Sequence, residues 1–134
     1  MIEAEMMRDS FKYLSSNNNY KMVKSEVPFL SRCIDVVIVD QNDKIISIEF
    51  KISKWRHAIE QATNHKLGSD AAYICLPKRK ISDILSSAVT EAGIGLLLYD
   101  PDSKDKIQVA ISAPETSKNI AAFRDILSLT LAKI

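Results

Sequence analysis

Only three glycines occur in the 134 residues, too few for a glycine-rich loop that cradles phosphates. Neither a Gly-x-Ser-x-Gly elbow nor a His-Glu-x-x-His helix is present, which removes the common serine-hydrolase and zinc-protease signatures. The two cysteines, Cys33 and Cys75, each sit in an apolar run. They are expected to be buried, reduced thiols of a cytoplasmic protein rather than a disulfide framework. With His57 and His65 they match no close-paired zinc spacing. No apolar run approaches the ~20 residues of a membrane helix; the longest, residues 94–99, has strand length. Residues 1–5 are acidic and helical in pattern and lack the basic start and apolar core of a signal peptide. An excess of one charge is missing too: 18 Lys and Arg face 17 Asp and Glu, a net charge of +1. That excludes a basic coat for nucleic acid, so any polyanion contact must come from a local patch.

What is present suits a globular chain. The hydrophobic share is 46% and the charged share 26%, and the length fits one domain over residues 1–134. Ala4, Met7, Phe11 and Leu14 recur at helical spacing, with Glu5, Arg8, Asp9 and Lys12 on the expected wet face. The polar cluster at residues 15–19 ends that helix. Strands are expected over residues 20–27, 33–40 and 44–51, with turn chemistry at Gln41, Asn42 and Asp43. A helix follows over residues 53–67, with Ser53 as N-cap, Gly68 as stop, and Trp55, Ile59, Ala62 and Lys66 on one stripe. Residues 71–76 form an apolar strand stopped by Pro77. A helix capped by Ser82 and ended by Gly93 comes next. Strands over residues 94–99 and 106–111 and a closing helix over residues 117–133 complete the chain. The order αβββαβαββα implies an α/β fold with a single mixed β-sheet flanked by helices.

The second and third strands carry the anomaly. Asp35 interrupts one apolar strand, and Glu49 and Lys51 interrupt the next. Side chains alternate along a strand, so Glu49 and Lys51 share a face while Ile46, Ile48 and Phe50 point to the core. A hairpin brings Asp35 alongside Glu49. Charges beside a core are costly unless paired or bound to metal. Two carboxylates with a neighbouring carbonyl, that of Phe50, make an all-oxygen site suited to Mg²⁺ or Mn²⁺. A lysine beside them suits polarising water or stabilising phosphate charge. The competing reading is a salt bridge of Lys51 with Glu49 or Asp35.

Asp35, thirteen intervening residues and Glu49-Phe50-Lys51 resemble the pattern of the PD-(D/E)xK nuclease superfamily, the restriction-endonuclease-like and Holliday-junction-resolvase-like enzymes. Ile34 stands where the named motif has proline. The likeness extends to the acid-bearing first helix, to the helix carrying Gln61 and to the strand ending at Pro77, and residues 26–77 look most like small uncharacterised members. The resemblance implies a restriction-endonuclease-like core and metal-dependent hydrolysis of DNA to a 5′-phosphate and a 3′-hydroxyl. It assigns Asp35 and Glu49 to Mg²⁺ or Mn²⁺, Lys51 to the attacking water, and a first-helix glutamate to a supporting role. Glu3 and Glu5 compete for that role; Glu3 is preferred because it lies on the side of Met7 and Leu14. Gln61 matches the glutamine that supports the site in many relatives.

The best candidates for phosphate-backbone contact are Lys78, Arg79 and Lys80, with Arg32, Lys54 and Arg56 as further basic residues. His57, Gln61 and His65 share a helix face that is expected to be solvated. Trp55 is expected to be core. No nucleotide cofactor and no membrane is implied. A homodimer through the closing helix would allow both strands of a duplex to be cut. The alternative to an enzyme is a nuclease-like module without turnover, binding DNA or protein in a repair, restriction or recombination assembly.

Overall fold

The computed structural model describes residues 1–116 and 119–134. Its elements run α1 (Glu3–Ser15), β1 (Tyr20–Phe29), β2 (Arg32–Asp40), β3 (Ile45–Phe50), α2 (Trp55–His65), β4 (Ala71–Pro77), α3 (Asp83–Glu91), β5 (Gly95–Tyr99), β6 (Ile107–Ile111) and α4 (Ala121–Lys133). The six strands form one sheet in the order β1-β2-β3-β4-β5-β6. The β3–β4 and β4–β5 pairs are parallel, and the others are antiparallel. The expected α/β architecture and element order are therefore observed. Residues 117 and 118 of the expected closing helix lie outside the described residues.

Strand alternation sorts the core into layers. Val36, Ile38, Ile48, Phe50, Cys75 and Tyr99 pack with Met6 and Leu14 of α1 on one face. Ala72, Ile74, Leu76 and Leu96 meet α2 and α3 on the other. Leu127 and Leu131 of α4 cover Val37, Ile45 and Phe29 beside α2. Pro28, expected to end β1, lies inside it. This is tolerated because β1 is an edge strand, where a missing N–H costs no ladder bond.

Several local expectations are corrected. The buried stripe of α1 is Met6, Ser10 and Leu14; Ala4 is exposed, and Met7 and Phe11 are half-buried. The cause is Asp9, which is not on a wet face. Its Oδ2 accepts from the Tyr99 hydroxyl at 2.5 Å, and Lys106 Nζ lies 2.9 Å from its Oδ1, so the network sets the rotation of the helix. Cys33 is exposed, near the start of β2 and opposite Pro28 of the edge strand; only Cys75 is buried. Ser53 does not cap α2. The N-cap is Lys54, in the left-handed region with φ 55°. Ser82 does cap α3, its Oγ accepting from Leu85 N–H at 3.1 Å, and Gly93 ends that helix at φ 68°.

Candidate active site

The β2–β3 ladder runs through Val39–Ile45, Ile38–Ile46, Val37–Ser47 and Val36–Ile48 and ends there. The next amides are bonded by side chains instead. Asp35 N–H donates to Glu49 Oε1 at 3.3 Å, and Phe50 N–H donates to Asp35 Oδ2 at 2.9 Å. On the other side of Asp35, β1–β2 pairing steps from Ser25–Val36 to Val27–Ile34, across Glu26 with φ 50°. A non-glycine residue in that region costs on the order of 1–2 kcal/mol. The strained Glu26 thus lies opposite Asp35, where the β2–β3 ladder ends, while the β1–β2 pairing keeps its register on both sides.

A third acid reaches the same point. Glu3, in the first turn of α1, accepts from Ile52 N–H at 3.2 Å. Glu5 is exposed, so the geometry favours Glu3 of the two competing helix acids. Burial first, and then the neighbouring Glu49 charge, push the Asp35 carboxyl up to about 7. Phe50 N–H opposes that rise, and Glu3 adds to it. Asp35 and Glu49 are close enough to share a hydrogen bond when one is protonated.

Glu49 is buried at the end of β3, and His65, the last residue of α2, is buried against it. His65 Nε2 lies 2.7 Å from Glu49 Oε1, and both side chains are 3% exposed. His65 is therefore not on a solvated face as expected, whereas His57 is. The α2 stripe that faces the sheet is Ala58, Ala62 and His65, with Trp55 and Ile59 half-buried beside it. Lys66 reaches Ala92 O through Nζ at 2.7 Å. No sequence signal singles out the His65–Glu49 contact; a histidine four residues after Gln61 is the nearest hint.

Lys51 follows β3 directly, and its N–H donates to Cys75 O at 3.1 Å, which continues the parallel pairing with β4. Alternation places it on the Glu49 side of the chain. Among the described residues the Lys51 ammonium makes no ion pair, so the competing salt bridge to Asp35 or Glu49 is not formed. Gln61 is half-buried on α2. Lys78, Arg79 and Lys80 lie just beyond β4, where Arg79 and Lys80 are exposed and the Lys78 side chain is 73% exposed. Because β3, β4 and β5 are parallel, that basic run leaves the sheet at the edge where Glu49 and Lys51 lie, the edge at which open α/β sheets bind ligands. Lys78 Nζ is 3.4 Å from Asp100. Arg56, which is exposed, lies over the Trp55 ring at 4.3 Å.

The donor set consists of carboxylate oxygens, each with one atom held by the protein. Among the described residues, no group of three or more His, Cys, Asp or Glu side chains is placed to hold a metal ion. A cation here would rest on the Asp35 and Glu49 carboxylates, main-chain oxygen and water. That fits a hard ion that keeps part of its hydration shell. Burial raises the Asp35 carboxyl most, and the Glu49 charge that adds to the rise is a repulsion that a cation would relieve.

No protein-family model matches the chain, and no curated protein matches it in sequence. Solved structures do. A protein of unknown function from Silicibacter pomeroyi aligns with a TM-score of 0.68 at 20% identity, covering 99% of this chain and 86% of that one. A repair endonuclease from Pyrococcus abyssi aligns with a TM-score of 0.53 at 19% identity over 75% of this chain. EndoMS, in complex with double-stranded DNA, gives 0.56 at 17% identity over 76%. The chain spans 48% and 46% of those two nucleases. The sheet and its flanking helices thus form a restriction-endonuclease-like fold, shared with repair nucleases. Among the described residues no helix is long and apolar enough to cross a membrane.

Proposed function

We propose that the protein is a metal-dependent nuclease that hydrolyses phosphodiester bonds of DNA. The observation that carries this reading is the meeting of Asp35 and Glu49 where the β2–β3 ladder ends, with Glu3 near enough to raise the Asp35 carboxyl; strand alternation puts Lys51 on the Glu49 side. The fold neighbours include nucleases, one of them bound to DNA. Asp35, Glu49 and the Phe50 carbonyl would hold Mg²⁺ or Mn²⁺, which supplies a Lewis acid for the phosphate and lowers the pKa of bound water.

The protein's own groups have separate tasks. Asp35 would hold the cation as a carboxylate. Glu49 supplies fixed negative charge, and Glu3 orients water at the rim. Lys51 holds the attacking water or the phosphate oxygens through an ammonium that no carboxylate neutralises. Gln61 supports the cluster from α2. Lys78, Arg79 and Lys80 contact backbone phosphates, adding affinity without sequence readout. Two copies would be needed to cut both strands of a duplex, and Ile126 and Leu129, exposed on α4, offer an apolar face for such a dimer.

Calorimetric titration with Mg²⁺ and Mn²⁺ tests the reading. Binding to the wild type, abolished in Glu49→Gln, is the expected result. A wild-type protein that binds neither ion would overturn it and leave a nuclease-like binding module.

A further inference from the structure

The nuclease reading leaves His65 without a task, yet its side chain is only 3% exposed. It ends α2, and its carbonyl accepts from both Gly68 N–H and Ser69 N–H at 3.1 Å. The Phe29 ring packs edge-on against the imidazole, with centroids 6.5 Å apart. Its Nε2 faces Glu49 Oε1 at 2.7 Å. In the tautomer with a proton on Nε2, the ring donates to that carboxylate oxygen.

Glu49 Oε1 thus takes two donors, His65 Nε2 and Asp35 N–H. Asp35 Oδ2 is committed to Phe50 N–H, and Glu3 Oε1 to Ile52 N–H. Each of the three acids therefore has one oxygen held by a donor of the protein. Ca²⁺ favours six to eight oxygens and commonly takes a carboxylate through both of its oxygens. Mg²⁺ demands a compact octahedron and accepts single oxygens plus water.

We propose that His65 is a positioning residue that reserves Glu49 Oε1, so that the cluster presents one oxygen per carboxylate and selects a small six-coordinate cation over Ca²⁺. The inference rests on the nuclease reading, and it concerns how the cation is chosen rather than whether DNA is cut. Phe50 N–H and Ile52 N–H are main-chain donors that no side-chain change removes. His65 is the one side chain whose substitution loosens a carboxylate oxygen, leaving Glu49 Oε1 with only the longer 3.3 Å bond from Asp35 N–H.

The test is calorimetric titration of the intact chain with Mg²⁺, Mn²⁺ and Ca²⁺ alone, in wild type, His65→Leu, His65→Asn and His65→Gln. Leucine removes the donor, asparagine is too short to reach, and glutamine restores an N–H at similar reach. Loss of an outer partner of a ligand typically changes metal affinity by about 10–100-fold. The expected result is a shift of the Mg²⁺-to-Ca²⁺ affinity ratio toward Ca²⁺ by at least about tenfold in the leucine and asparagine variants. Glutamine should return the ratio to near the wild-type value. A purely structural histidine would lower the melting temperature of those two variants and leave the ratio unmoved, which would overturn the proposal. Unchanged selectivity with wild-type binding intact sinks the role of His65 alone. A wild-type protein that binds no divalent ion sinks the nuclease reading as well.

Discussion

Replacing Asp35 by asparagine should stabilise the metal-free protein at neutral and alkaline pH. The new amide would keep an oxygen for Phe50 N–H, now bonded to Asp35 Oδ2 at 2.9 Å, and only the charge would be lost. Burial and the Glu49 charge raise the Asp35 carboxyl from 3.8 to about 7. The unfolded chain ionises near 3.8, while the folded chain holds its proton up to about 7. Stability is therefore fullest below about pH 4, drains as the pH climbs toward 7, and is flat above. At ~1.4 kcal/mol per tenfold change, the full shift amounts to roughly 4 kcal/mol. Solvent at the half-buried rim screens part of this, leaving about 2–4 kcal/mol. For a chain of this length each kcal/mol moves the melting temperature by about 3–4 °C. Thermal melts with chelator should show the Asp35→Asn protein melting about 6–16 °C above wild type at pH 8, and level with it at pH 4. Excess Mg²⁺ should raise the wild-type midpoint and leave the variant unmoved. A variant no more stable at pH 8, or a gain independent of pH, would refute the account of the cluster.

Lys51→Ala should abolish DNA cleavage while leaving Mg²⁺ affinity similar or higher in a calorimetric titration, because a cation beside the carboxylates repels the ion. If the variant instead keeps wild-type cleavage, lysine has no part in the chemistry. Ile48→Ala, at a position 1% exposed between α1 and the sheet, should cost ~2–5 kcal/mol in denaturant unfolding; a loss under ~1 kcal/mol would contradict its packing. Arg124→Ala should detach α4, since Arg124 Nε and NH2 bond to Asp70 at 3.2 and 3.1 Å. The expected cost is about 2 kcal/mol, below the ~3–5 of a fully buried pair because the guanidinium is one-third exposed. Burial pushes the Asp70 carboxyl up, but Arg124 and Ile45 N–H outweigh it and hold it below its usual range. This contribution, read from the same unfolding curves, should therefore fade as the pH falls through that lowered value.

The hairpin is legible in the sequence because period-two alternation is a local property: apolar residues on both sides of Asp35 and Glu49 define two strands, and a polar turn pairs them. What the sequence hides depends on contacts distant in the chain. The rotation of α1 is set by Asp9 meeting Tyr99 and Lys106, 90 and 97 residues away. His65 lies 16 residues after Glu49, and only the docking angle of α2 decides whether its ring meets the sheet or water. Asp70, which bonds to Ile45 N–H, Asn119 and Arg124, has one usable signal, an acid immediately before a wholly apolar strand. The left-handed Lys54 has none, because lysine carries no preference for that conformation.

Cleavage of single-stranded, duplex and branched DNA, measured with Mg²⁺ and with chelator, tests the central claim most directly. The account predicts Mg²⁺-dependent products with 5′-phosphate ends on at least one of these substrates, lost in Asp35→Asn, Glu49→Gln and Lys51→Ala variants that remain folded. Folded wild-type protein that cleaves none of them with Mg²⁺ or Mn²⁺, or variants that cleave as wild type does, would contradict it.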